Sequence, residues 1–354
     1  MPSIHLTDPT AVARMRPATR ALTKAAVAAQ HAPSIFNTQP WQWTIHDEQA
    51  ELRPDRDRHL PVVDPQGRLL TLSCGVALHH ARVALAGTGS EPHVERFPDR
   101  ADPDLFAVLT IAGMAAPPPG TVRLHQAIAL RHTDRRPFAD QPVSEPVLDR
   151  LRTAAESQGA HLHVLRPDDV VLLTAAASHA ADTELASPAY RAELAAWTDR
   201  PAGSGDGVPL ETAGPVGARQ VPLRDFAVAG ATAGATAGAQ ANAAAGATAA
   251  RPAFTGVADR QARYAVLYTD GDDPGSWLAA GEALSAVLLT ATAERLGSSP
   301  MSDVVEVPAA RRVLYDLLSH IGHPMLALRL GIPATAGPPG TVAPRLAGLV
   351  APAD

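Results

Sequence analysis

The stretch Ala32-Pro33-Ser34-Ile35-Phe36-Asn37-Thr38-Gln39-Pro40-Trp41 narrows the folding choices of this chain more than any other. An Ala-rich run over 18–31 reads as a helix. Pro33 ends it, because proline donates no backbone N–H and restricts the residue before it. The turn that follows carries the Ser34 hydroxyl and the carboxamides of Asn37 and Gln39. Trp41-Gln42-Trp43-Thr44-Ile45 then alternates apolar and polar positions, the pattern of a half-buried strand.

Neutral groups that give and accept hydrogen bonds suit a ring whose edge alternates C=O and N–H, as in a flavin or a pyrimidine. As plain turn and capping residues they need no ligand. Composition limits the function classes. The chain has 354 residues, 46% hydrophobic, enough for one large or two ordinary domains with a substantial core. A net charge of −6 argues against nucleic acid or an anionic membrane as the main partner. The single cysteine, Cys74, excludes an intrachain disulfide, and the 14 histidines show no metal spacing such as H-E-x-x-H. Met1 to Pro17 lacks the apolar core of a secretory signal, and no uninterrupted apolar segment is expected to span a bilayer. A cytoplasmic protein with no nucleic-acid or membrane partner is the expectation.

Residues 48–70 are polar and Pro-rich and read as a solvated loop or edge hairpin. Leu72 to Leu85 reads as a helix apolar over most of its face, closed by Gly87 and Gly89. Strands are expected at 93–98, 105–111, 161–166, 264–269 and 325–330. Helices are expected at 144–158, 168–198, 277–295 and 309–320, with Leu296 to Pro300 as a turn. The stretch 199–226 is loop-rich. Ala227 to Ala250 carries no charge; a membrane span fits it poorly, while a flexible linker and a small-residue cover helix both stay open.

Gly75-x-Ala77-Leu78 and Gly281-x-Ala283-Leu284 each open a buried helix that a later glycine closes, which points to a duplicated unit. The A-P-S-x-x-N-x-Q-P-W pattern at 32–41 resembles the helix-end motif of the nitroreductase-like flavoproteins. Arg131-His132-Thr133-Asp134-Arg135, Asp206-Gly207-Val208-Pro209 and W-L-x-A-G-x-A-L at 277–284 extend the likeness. The arrangement resembles the Acg-type members of actinobacteria.

That resemblance implies an α+β nitroreductase-like fold with two tandem units, 1–122 and 123–354, forming a pseudo-dimer. Within the second, 200–252 is a Gly/Ala-rich lid or insertion. In the family's symmetric dimers each FMN takes its phosphate clamp from one subunit and its Ser/Asn edge from the other. Fusion lets one site keep both parts while the other loses both. One FMN per chain is therefore expected, held by Ser34, Asn37 and Gln39 from the first unit and Arg131, Thr133 and Arg135 from the second. Guanidiniums and a hydroxyl suit a phosphate dianion; a surface ion pair with Asp134 or Asp140 is the plain alternative for the arginines. The resemblance also maps Ser302 and Asp303 to the flavin N5 edge, where the family usually has glycine in place of Asp303, and Arg345 to a third phosphate contact. The flavin would carry the redox chemistry. With no G-x-G-x-x-G after a strand, NAD(P)H would dock transiently. The implied function is an NAD(P)H-dependent FMN oxidoreductase acting on a nitro or quinone-like small-molecule acceptor, in a chain that is monomeric because its dimer is fused. The competing reading is an FMN-sequestering protein whose flavin lies under 227–250.

Overall fold

The computed structural model describes residues 16–46, 48–198, 200, 204–209, 219–226, 259–335 and 349–350. Among them the elements run α1 (Pro17–Ala29), β1 (Trp41–His46), β2 (Gln49–Pro54), α2 (Arg68–Gly87), β3 (Ser90–Arg96), β4 (Ala107–Met114), α3 (Pro119–Leu130), α4 (Glu145–Glu156), β5 (His161–Val164), α5 (Val170–Ala186), α6 (Pro188–Trp197), β6 (Arg263–Thr269), α7 (Pro274–Ala293), β7 (Gly297–Met301), α8 (Asp303–Glu306), α9 (Pro308–Leu317), β8 (His323–Gly331) and β9 (Leu349–Val350).

Pro17 starts α1, where a fixed φ and a missing N–H cost nothing. The helix buries Leu22, Ala25, Ala26 and Ala29, one face at helical spacing. After it, Phe36, Asn37 and Gln39 all have φ near +50°, left-handed backbone that side chains rarely adopt. That tight turn delivers the chain into β1, where Trp41, Trp43 and Ile45 are fully buried.

Two sheets form, in the orders β3-β4-β2-β1-β9 and β5-β6-β8-β7. Read from the other edge, the second is β7-β8-β6-β5, which repeats β3-β4-β2-β1 strand for strand. Every pairing within these two sets of four is antiparallel. In each set a 20-residue helix, α2 or α7, joins the second strand to the third. β9 returns from the end of the chain to lie parallel beside β1, so the end of the 123–354 stretch contributes to the first sheet.

Helices α2 and α7 pack on each other, and glycines set how closely. A Cβ on Gly75 would stand 2.1 Å from the Leu278 carbonyl oxygen, and one on Gly281 1.9 Å from that of Leu72. The relation is reciprocal, as across a twofold axis. Just along the crossing, His79 and His80 each share a hydrogen bond with Ser285 Oγ, at 2.7 and 2.8 Å. Burial, helped by Arg131, pushes the His80 imidazole down to about 3, so it packs as a neutral ring.

Three expectations need correction. Residues 49–54 are neither loop nor sheet edge: β2 lies between β1 and β4, because Ala50 and Leu52 alternate into the core. The segment after α7 is the strand β7, whose small residues admit the Phe138 ring; a Cβ on Gly297 would stand 2.6 Å from Phe138 Cε1. By length and hydropathy α2 and α7 could each cross a membrane, contrary to the sequence expectation, but here they are mostly buried within the protein. The 227–250 segment and Arg345 lie outside the described residues.

The crossing yields a test. Gly75→Ala and Gly281→Ala must each push α2 and α7 apart, at a cost of about 1–3 kcal/mol. Gly120→Ala, with open space around its Cβ, should be neutral or mildly stabilising. Denaturant midpoints should fall for the first two and hold for the third; equal midpoints for all three would contradict the packing.

Candidate functional site

A cavity of about 740 Å³, counted out to its open mouth, lies between the two sets of strands and helices. The first half of the chain contributes the turn Pro33 to Phe36 and Leu72 and Ser73 of α2. The second half contributes Thr133 and Arg135, Leu284 of α7, Ser299 to Asp303, and Leu326 of β8. Leu223, Arg224 and Phe226 form a further wall. The leucines, Pro300, Met301, Phe36 and Phe226 make its apolar part, and hydroxyls, two guanidiniums and the Asp303 carboxyl give it a polar part of similar extent.

The residues singled out from sequence fall into three groups. Ser34, Thr133, Arg135, Ser302 and Asp303 line the cavity together. Asn37 and Gln39 do not line it. They clasp a neighbouring loop: Asn37 Nδ2 donates to the Gly207 carbonyl at 3.0 Å, and Gln39 Nε2 to that of Gly205 at 2.6 Å. Asp206 in that loop pairs with Arg58 and Arg200, and both guanidiniums sit over the Trp197 ring. Arg131 also stands off the cavity wall. Its Nη2 donates to the His31 carbonyl at 3.3 Å, while Nε and Nη1 are buried with no partner. Such orphaned donors are costly without an anion or water to receive them.

Asp134 is held by Arg136, at 2.8 and 2.9 Å. Burial would raise the Asp134 carboxyl, but the hydrogen bonds from Arg136 and His132 outweigh it and hold it well below the usual range. The Arg135 guanidinium lies 5.0 Å from the centre of the Phe226 ring. Burial, then the nearby cations Arg224 and Arg219, lower it to about 10. Arg135 and Arg224 thus bring two guanidiniums to the cavity lining, beside the Asp303 carboxyl.

Sequence reasoning missed Arg224 and the acids around it. Arg224 crosses the cavity wall to Glu306 at 2.8 Å and Glu184 at 3.7 Å, with its guanidinium 4.7 Å from the Phe36 ring centre. Glu306 and Glu184 bring two carboxylates to one guanidinium, and Asp303 adds a third. Burial dominates both shifts: it raises Glu184 to about 9 and Asp303 to about 6, with Arg224 opposing and Glu306 reinforcing. Nothing local marked Arg224, because 219–226 follows no helix or strand period. Glu184 and Glu306 lie far apart in sequence and meet only through the fold.

Residues 128–332 match the model of the Nitroreductase family. Over 316 residues the chain is 35% identical to the Mycobacterium tuberculosis H37Rv protein named "Putative NAD(P)H nitroreductase Rv3131", covering 88% of this chain and 85% of that one. It is 32% identical over 329 residues to the H37Rv protein named "Putative NAD(P)H nitroreductase acg", covering 92% of this chain and 93% of that one. A solved "putative nitroreductase in complex with fmn" from Desulfovibrio desulfuricans aligns with 64% of this chain and 92% of its own, at 16% identity and a TM-score of 0.30, too weak a likeness to bear on the site.

The Asp303 shift carries a stability consequence. Its folded value, about 6, exceeds the unfolded 3.8, so the folded chain holds the extra proton between them. That contribution is complete below the unfolded value and is lost as pH rises through the folded one. Asp303→Asn abolishes the loss. From about pH 4 to about pH 7 the variant should gain on wild type by up to about 3 kcal/mol in denaturant unfolding. A difference that does not change with pH would contradict a buried, proton-holding carboxyl.

Proposed function

The chain belongs to the nitroreductase family, and on that premise we propose that it is an FMN-dependent oxidoreductase that passes hydride from NAD(P)H to a nitro or quinone-like acceptor. The observation that carries this reading is the cavity itself: a slot walled by both halves of the chain, part apolar and part polar, with Arg135 and the Ser34 and Thr133 hydroxyls on its lining. These groups fit FMN. Flat apolar walls suit the ring system. Arg135 and Thr133 suit the phosphate, with the unpartnered Nε and Nη1 of Arg131 close by in sequence to serve it. Ser34 Oγ already accepts from the Gln39 backbone N–H at 2.8 Å, which fixes the hydroxyl at the cavity edge.

A bound flavin would supply the redox chemistry, and the protein its binding, orientation and exclusion of water. Arg135 and Thr133 would anchor the phosphate end. Leu72, Leu284 and Leu326 would hold the ring plane between α2, α7 and β8. Ser302 and Asp303 would face its edge. Asn37 and Gln39 would act at one remove, by fixing the 204–208 loop.

We read the matching sheets and the reciprocal Gly75–Gly281 contact as two tandem units, an internal pseudo-dimer that makes a second subunit unnecessary. Counting from the start of the third strand in each set, Arg96 stands where Asp303 stands. Arg96 pairs with the buried Glu282 at 2.7 and 2.9 Å, and Glu282 also holds Arg82 at 2.6 Å. A salt-bridged cluster in the related position supports one FMN per chain.

The wall formed by 223–226 favours a second reading, in which the flavin is kept covered and turns over slowly. Anaerobic mixing of the FMN-loaded protein with NADPH or NADH separates the two. Rapid bleaching of the flavin absorbance supports the reductase, and bleaching by dithionite alone supports sequestration.

The phosphate assignment has its own test. Arg135→Ala should weaken FMN binding by about 1.5–3 kcal/mol, the cost of a hydrogen bond to a charged group. Arg56→Ala removes only an exposed pair with Asp104 and should change it little. Equal dissociation constants for the two variants would take the phosphate role from Arg135.

A further inference from the structure

Asp303 is a carboxyl where the resemblance leads one to expect glycine, and it lines the cavity while being almost wholly buried. It opens α8 and is backed by a connected group of ionisable side chains. Arg224 comes from the 219–226 wall, Glu306 from α8 itself, Glu184 from α5 and Tyr190 from α6. Among the described residues, the other charged or titratable groups on the elements packed on α8 include the exposed His179 and Asp182 of α5 and the arginines of β8 and α9. On β8, Arg329 is committed to Asp259 at 2.6 Å; on α9, Arg312 is committed to Asp316 at 3.0 Å, and Arg311 acts on Arg68. Of the group, only Asp303 and Arg224 reach the cavity.

We propose that Asp303 is the proton-carrying residue of this cavity, giving up its carboxyl proton when the ligand held there is reduced and taking it back when that ligand is reoxidised. This rests on the flavin reading above. The balance is simple. A dihydronicotinamide gives one hydride, two electrons and one proton, and is left as the oxidised nicotinamide. A flavin that ends neutral needs one proton more. The Asp303 O–H bond breaks to supply it, leaving a carboxylate beside the Arg224 guanidinium. When hydride passed on to a quinone-like acceptor, the other proton would return to Asp303, and the acceptor, left as its hydroquinone anion, would take its second proton from solvent. Arg224 thereby stabilises the charge on Asp303 that each reduction creates, while burial and Glu306 favour its protonated form between turnovers.

The arrangement makes binding itself depend on pH. A ligand in the cavity removes the last water from Asp303 and sets its electron-rich edge against the carboxyl. Both favour the protonated form, so binding should take up a proton as pH rises above about 6, where the empty cavity's Asp303 ionises.

The test is FMN titration of the apoprotein by fluorescence quenching, from about pH 5.5 to about pH 8.5. It compares wild type, Asp303→Asn and Glu184→Gln. The phosphate's own titration is common to all three, so ratios of dissociation constants isolate the side chain. Relative to Asp303→Asn, the wild-type constant should rise about tenfold across the range for each unit by which the ligand raises the Asp303 pKa. Glu184→Gln, which alters the acid group without touching the cavity, should follow wild type. Asp303→Ser replaces the Asn variant if the latter does not fold. A wild-type to Asp303→Asn ratio that stays flat with pH overturns the proton role while leaving FMN binding intact. A wild-type protein that binds no FMN at any pH overturns both this proposal and the flavin reading.

Discussion

The crossing of α2 and α7 leaves no room for a side chain at Gly75 or Gly281, and the site depends on that constraint. Close packing turns both helices into one rigid spine with a sheet on either side. The same spine supplies Leu72 and Ser73 from one helix and Leu284 from the other to the cavity. The cavity therefore exists only where the halves meet. A larger residue at the crossing would separate its walls as well as loosen the core.

Around that spine, polar groups hold loops in place. Asn37 and Gln39 secure the 204–208 loop, Asp206 bolts it to Arg58 and Arg200, and Arg219 donates to the Arg135 carbonyl. Buried Arg329 grips Asp259 at 2.6 and 3.0 Å and reaches the carbonyls of Asp134 and Arg136. Its guanidinium lies 3.7 Å from the centre of the Phe138 ring. Breaking such a pair from one side leaves an uncompensated charge in the interior. These contacts fix the 131–138 strip, and with it the position of Arg135 on the cavity wall.

Much of the fold was legible because periodicity is a local property. The alternation at Trp41–Ile45 gave β1, and the apolar run after Leu72 gave α2. The short G-x-A-L match picked out the two helices that cross. β2 and β7 were read as something else. Gln49–Pro54 alternates polar and apolar as β1 does, but it runs into the charged, Pro-rich stretch that follows, and its interior place comes from its pairing with β4; β7 is Gly-Ser-Ser-Pro-Met, small residues that read as a turn. Of the residues the resemblance pointed to, Ser34, Thr133, Arg135, Ser302 and Asp303 lie on the cavity wall. Asn37 and Gln39 were in the right turn but face the loop, because the left-handed backbone at 36, 37 and 39 turns them there. Arg224, Glu184 and Glu306 come together only in three dimensions.

The proposed reading, one ligand site where the halves meet with Glu282 and its arginines in the related position, is a claim about how much FMN the chain takes up. Titrating apoprotein with FMN at a protein concentration far above the dissociation constant counts sites directly. The account predicts a break at one FMN per chain, with the end point unchanged at any higher ratio. A break at two, or the absence of saturable binding, would contradict it.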